Sequence, residues 1–141
     1  MKLHYMKLRP TAKEPTYGTT GAGCFDLYCS EDTELKPFVT TKVPTALAVE
    51  VPEGYVMTVM PRSSTACRGI QVFTGQVDSD YRGEVHVMAM PLTADGCPTL
   101  VRAGERIAQA RLDRAEQVQF VEEKALSSTA RGTSGYGRTG K

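Results

Sequence analysis

L-A-V-E-V-P-E-G-Y-V-M-T-V-M, residues 47 to 60, reads as two strands about one turn. Leu47, Val49 and Val51 alternate with Ala48 and Glu50, the period of two that gives a strand one buried face. Pro52-Glu53-Gly54 supplies turn chemistry, and the apolar run Tyr55 to Met60 follows, so a hairpin is expected. The same alternation sets Val85, Val87 and Ala89 against Glu84, His86 and Met88, and it recurs in residues 1 to 8. Short strands punctuated by turns about every ten residues predict an all-β single domain, a sandwich or jelly roll. Helix is expected only in one turn after Arg62. With 141 residues and 40% hydrophobic content, the chain has material for one sizeable core.

A second stretch carries chemistry. Gly75 to Val85 reads G-Q-V-D-S-D-Y-R-G-E-V, with the two carboxylates of Asp78 and Asp80 in its turn, an aromatic ring and two glycines. Val72-Phe73 and Glu84 to Val87 read as strands, with Asp78-Ser79-Asp80 as the polar turn of a tight hairpin. In extended chain Asp78 and Asp80 share a face, so one of them calls for a water, an arginine or a metal nearby. Gly75 has no side chain, which lets a flat ring approach and be read by peptide N–H and C=O groups. Taken alone, the pattern also fits a solvated acidic turn.

The tail, S-S-T-A-R-G-T-S-G-Y-G-R-T-G-K from Ser127 to Lys141, contains no acidic residue and nothing to bury. It is expected to be a flexible arm following a domain of residues 1–126. Glycines, hydroxyls, two arginines and one tyrosine suit a flap over an anionic, ring-bearing ligand, with backbone N–H groups against phosphates. A disordered solubilising end has the same composition.

Three shorter segments join these. Pro61 to Gly69, P-R-S-S-T-A-C-R-G, reads as a strand entering one helical turn, with Ser63 or Ser64 as cap and Gly69 as stop. Arg62 beside the first N–H groups of that turn makes an anion site. Gly104 to Ala110, G-E-R-I-A-Q-A, is a turn entering a strand, with the Gln109 amide available to an oxygen. Gly21 to Leu27, G-A-G-C-F-D-L, brings Asp26 into an apolar strand start.

Five such segments in this order, over nearly the whole chain, resemble the trimeric deoxyuridine triphosphatase (dUTPase) family. The third is close to the family's G-V-I-D-x-D-Y-R-G, the fifth to R-G-x-G-G-F-G-S-T-G, and the fourth carries G-E-R-I-A-Q. The second is similar to P-R-S-G, with Ser64 where glycine is usual. The first matches A-G-x-D-L either with one extra residue or with Cys24 in the glycine's place.

The resemblance implies a β jelly roll of the β-clip type, assembled as a homotrimer, that hydrolyses dUTP to dUMP and pyrophosphate. Asp78 then corresponds to the general base that activates a water for in-line attack on the α-phosphorus. Tyr81 corresponds to the tyrosine packed on the deoxyribose that leaves no room for a 2′-hydroxyl. Gly75, Gln76, Val77 and His86 fall where the family reads uracil with main chain, rejecting cytosine by its reversed edge and thymine by its methyl group. Arg62, Ser63 and Ser64 match the phosphate-binding turn, and Gln109 matches an amide on a phosphate. In the tail, Arg131 and Thr139 would bind the outer phosphates, and Tyr136 stands for the phenylalanine that stacks on the base. Arg138 occupies a position where serine is common and belongs to the same substrate-binding set. Mg2+ is implied as a cofactor bound to the triphosphate, with Asp26 holding a metal-bound water. Each site would draw its first, second and fourth segments from one chain, its third from another and its tail from a third.

Two other classes share features with this reading. A dCTP deaminase of related fold also carries an R-S-S turn, but it usually has a longer chain and needs a further acidic residue. A non-catalytic binding module of the same fold would be marked by loss of the base or of the tail, and both are present. A net charge of +1 gives no footprint for nucleic acid. No apolar stretch is long enough to span a membrane, and residues 1–8 lack the apolar run of a signal peptide. Cys24, Cys29, Cys67 and Cys97 have no metal-ligand spacing and read as reduced thiols of an intracellular protein.

Overall fold

The computed structural model describes residues 1–93 and 96–133. The strands are β1 (His4–Lys7), β2 (Thr16–Tyr17), β3 (Phe25–Tyr28), β4 (Thr33–Leu35), β5 (Thr41–Glu50) and β6 (Tyr55–Met60). The helix α1 (Ser63–Cys67) follows, then β7 (Ile70–Val72), β8 (Gly75–Val77), β9 (Glu84–Pro91), β10 (Thr99–Val101) and β11 (Arg106–Arg114). One sheet runs β1-β5-β9-β7, a second runs β2-β3-β11-β6-β8, and β10-β4 forms a small third.

Leu47, Val49, Val85 and Val87 from the first sheet share one core with Leu27, Met57, Val59 and Ile107 from the second. Leu35 and Val101 extend it beneath the small sheet. The period-two alternation in β9 is realised: Val85, Val87, Ala89 and Pro91 are buried, and the residues between them are partly exposed. This two-layer all-β architecture, with one short helix among the described residues, is the jelly-roll class expected from the strand pattern.

One expected hairpin is not formed, and the other is not tight. β5 and β6 are joined through Pro52-Glu53-Gly54, but β5 pairs with β1 and β9, while β6 pairs with β11 and β8. The strands expected to flank the second turn do pair, β7 with β9 and Val72 opposite Ala89, but β8 comes between them in the chain and pairs with β6, so residues 78–83 turn a corner between the two main sheets. Turn residues reverse the chain in either case; they do not dictate which sheet receives the next strand.

β5 also departs from simple alternation, because Val43 through Val49 are all buried. Its pairing with β9 shifts register between Pro44 and Ala48, and Ala46 has a left-handed φ of 54°. A residue with a Cβ held there costs about 1–2 kcal/mol. Three bonds offset this cost: Thr45 Oγ1 donates to the Val85 carbonyl at 2.6 Å, the Leu47 N–H to Thr45 Oγ1 at 3.2 Å, and the Ala46 N–H to Glu84 Oε1 at 2.8 Å. Arg9 grips the same carboxylate with both terminal nitrogens, at 2.6 and 3.0 Å.

Burial alone raises the proton affinity of Glu84, but the Arg9 guanidinium and the Ala46 N–H outweigh it and hold the carboxyl below the ordinary glutamate value. A depressed carboxyl stabilises the fold above its unfolded pKa, about 4.3, and that contribution is lost as pH falls through the folded value. Glu84→Gln should therefore melt earlier than the parent at pH 7, with the gap closing toward pH 3. Equal melting temperatures at pH 7 would show that the clasp adds nothing.

Candidate active site

The helical turn after β6 begins one residue earlier than a serine cap would place it. Arg62 is the cap residue, with extended backbone and no side-chain cap bond, so the expectation that Ser63 or Ser64 caps the turn is corrected. Both serines lie within the helix with exposed side chains. Gly69 ends the turn as expected, with φ 71° and its N–H on the Ala66 carbonyl at 2.9 Å. Thr65 is buried and donates to the Ile107 carbonyl at 3.2 Å, which ties the turn to β11.

Strand pairing brings the first, second and fourth sequence segments together. Gln109 on β11 stands opposite Asp26 on β3 and Met60 on β6, and its amide donates to the Pro61 carbonyl at 2.9 Å. Asp26, 8% exposed, accepts Arg62 Nε on one oxygen at 2.7 Å and Arg106 Nη1 on the other at 3.3 Å. Arg62 Nη1 also reaches Ser64 Oγ at 2.8 Å and the Arg106 carbonyl at 3.4 Å. One buried carboxylate thus orients two guanidiniums beside two exposed hydroxyls, an arrangement suited to an anion. Arg106 was not singled out from the sequence. Its signal is the basic position in G-E-R-I-A-Q, whose meaning depends on the β3–β11 pairing.

The third segment builds a separate cavity of about 250 Å³. Gly75, Gln76, Val77, Asp78, Tyr81 and His86 all line it, together with Lys42, Val59, Phe73, Glu84, Val85 and Met88. It lies where β8 and β9 part into their separate sheets. Over Gly75 a Cβ would meet only Val59, at an ordinary 3.9 Å. The Tyr81 N–H donates to the Asp78 carbonyl at 3.2 Å and its hydroxyl to the Glu84 carbonyl at 3.0 Å. His86 Nδ1 lies 3.1 Å from that same carbonyl. Asp78 is exposed and also borders a neighbouring concavity with Glu53, Ser79 and Asp80. Lys42, Phe73 and Met88 went unnoticed in the sequence, since only the β5–β9 register and the corner bring them to this wall.

The cavity lining includes none of Arg62, Ser63, Ser64 and Gln109. The chain therefore presents a base-sized cavity and a cationic turn as two distinct surfaces. Beyond β11 the described residues form no strand, and Val118, Phe120, Val121 and Leu126 are exposed. Arg131 is exposed beside a turn in which the Gly132 N–H reaches the Thr129 carbonyl at 3.0 Å. Tyr136, Arg138 and Thr139 lie outside the described residues.

Fold and site together describe a jelly-roll protein with a cavity at the β8–β9 corner and, apart from it, a cationic turn. Solved structures of that shape include a dUTPase of Staphylococcus bacteriophage 80alpha carrying dUpNHpp, with a TM-score of 0.89 and 22% identity, covering 99% of each chain. A dUTPase mutant from phage phi11 of S. aureus, described with a structural Mg(II) ion, matches with a TM-score of 0.81 and 18% identity over 89% of this chain and 98% of its own. The dUTPase family model matches residues 11–140. The deoxyuridine 5'-triphosphate nucleotidohydrolase of Wolinella succinogenes is 42% identical, over 100% of this chain and 95% of its own length. That of a Hydrogenobaculum species is 41% identical over 99% of each. The chain belongs to the dUTPase family.

Proposed function

We propose that this protein hydrolyses dUTP to dUMP and pyrophosphate, lowering dUTP and supplying dUMP for thymidylate synthesis. The observation that carries the reading is the one cavity lined by Asp78, Tyr81, Gly75, Gln76, Val77 and His86 together. Uracil enters between β8 and β9 and is read by main chain. The deoxyribose packs on Tyr81, and Asp78 lies on the phosphate side.

Asp78 accepts a proton from a water as that oxygen bonds to the α-phosphorus, and the bond from phosphorus to the bridging oxygen breaks to release pyrophosphate. Arg62, held by Asp26, and Gln109 bind the phosphates, while the serine hydroxyl of the turn bonds the bridging oxygen and stabilises the leaving group. Arg131 and Thr139 bind the outer phosphates, with Arg138 in the same arm, and Tyr136 stacks on the base as residues 127–141 close.

Among the described residues no three acidic, histidine or cysteine side chains gather to form a metal cage. Asp26, whose oxygens each keep a lone pair beyond their guanidinium bond, would hold a water of an ion carried in by the triphosphate. Magnesium bound in this way offsets negative charge on the phosphate oxygens.

The separation of the cavity from the cationic turn supports a homotrimer in which different copies supply the two. No described helix is long and apolar enough to cross a membrane. The thiols of Cys24, Cys29, Cys67 and Cys97, which form no disulfide with one another, fit a reducing intracellular setting.

Pyrophosphate release from dUTP, dCTP, dTTP and UTP, each with and without magnesium, tests the activity; release from dUTP alone among the four, enhanced by magnesium, is expected, and no preference for dUTP would reject it. For shared sites, chains truncated before Arg131 are mixed with full-length chains carrying Asp78→Asn. Each alone should keep only about a hundredth of the parental activity or less, and mixed assemblies should regain part of the rest. No regain would reject sharing.

A further inference from the structure

We infer that Gly83 is the seat of the sugar gate, a positioning residue that sets the choice of deoxyribose over ribose by letting the Tyr81 ring lie across its bare backbone. The inference rests on the reading of Tyr81 as the surface that excludes a 2′-hydroxyl. A Cβ built on Gly83 would fall on the Tyr81 hydroxyl and lie 2.6 Å from Cζ, closer than real Cβ atoms come, and 3.1 Å from Cε2. The ring is thus folded back over position 83, and its hydroxyl is latched to the Glu84 carbonyl at 3.0 Å.

Backbone conformation does not explain the glycine. Gly54, Gly69, Gly96, Gly104 and Gly132 have left-handed φ angles among the described residues, and Gly83 is not one of them. An alanine there meets no backbone strain and collides with one side chain only. That side chain is 44% exposed and is struck at its far end, so it swings outward at little cost to the fold. What the swing removes is the latch and the wall of the cavity beside Asp78. Glu84 keeps the latch fixed, since its carboxylate is bound by Arg9 and the Ala46 N–H while its carbonyl accepts the tyrosine.

The test measures kcat/KM for dUTP and for UTP in the parent, Tyr81→Ala, Gly83→Ala and the double variant, with thermal melts of each. Gly83→Ala should lower the dUTP-to-UTP ratio about tenfold or more. In the Tyr81→Ala background the same change should alter the ratio no further, because the two residues act as one unit. A parental ratio in Gly83→Ala together with a collapsed ratio in Tyr81→Ala overturns the seat and leaves the gate standing. A parental ratio in Tyr81→Ala overturns the gate, and the seat with it. An equal drop from Gly83→Ala with and without Tyr81 means that the glycine acts by another route. If Gly83→Ala melts early and removal of the ring does not restore it, the glycine serves the fold and the inference fails.

Discussion

Asp78→Asn should lower the turnover of dUTP by on the order of a hundredfold or more while leaving nucleotide affinity near that of the parent. The amide has the size and shape of the carboxylate and can still hydrogen-bond a water, but it does not accept the water's proton as the new bond to phosphorus forms. The geometry favours such a clean separation. Asp78 stands at the corner between β8 and β9, and its side chain is exposed, so the substitution disturbs no core contact. Gly75, Gln76 and Val77, proposed to read the base through peptide groups, are not altered by the substitution. Single-turnover hydrolysis alongside equilibrium binding of a non-hydrolysable dUTP analogue measures the two effects independently. Turnover equal to the parent's would remove Asp78 from the chemistry.

Deletion of Arg131 to Lys141 should reduce hydrolysis by about a hundredfold, because phosphate-binding donors are lost from a charge-developing transition state. Stability should hardly change. The core and the hydrophobic residues packed against it end at Leu112 among the described residues, and everything described after Arg114 is exposed coil or turn. Circular dichroism melts of the truncated and full-length chains should coincide while pyrophosphate release falls. A truncated protein that retains full activity would refute closure of the arm; one that melts markedly earlier would show the arm to be part of the fold.

The strands were legible because an alternating face leaves a period of two in the sequence, as in Val85, Val87 and Ala89. Their partners were not. Pro52-Glu53-Gly54 and Asp78-Ser79-Asp80 look like hairpin turns, yet each passes the chain from one sheet to the other, a choice made by packing across the core rather than by the turn. The full burial of β5 was equally hidden, since it follows from the left-handed Ala46 and the clasp of Thr45 and Glu84, residues with no helical or turn signal of their own. At the site, the candidates in contiguous segments were legible: Asp78, Tyr81 and their neighbours do line one cavity. Residues whose roles depend on strand register escaped notice, Arg106 across from β3 and Lys42 across from β9 among them. The serine cap failed for a related reason. Arg62 is fixed by Asp26, a residue distant in sequence, and the chain enters the helix from there.

The corner at residues 78–83 has a thermal consequence. One flank is anchored by β6 and the other by β5 and β7, so the position of the Asp78 carboxylate depends on how the two layers sit on each other. A small slide between layers, too slight to break any strand, would misplace it. Catalysis in this chain should therefore fade on warming several degrees before spectroscopy detects melting, making the reaction rate a finer gauge of interlayer fit than any bulk measure of structure.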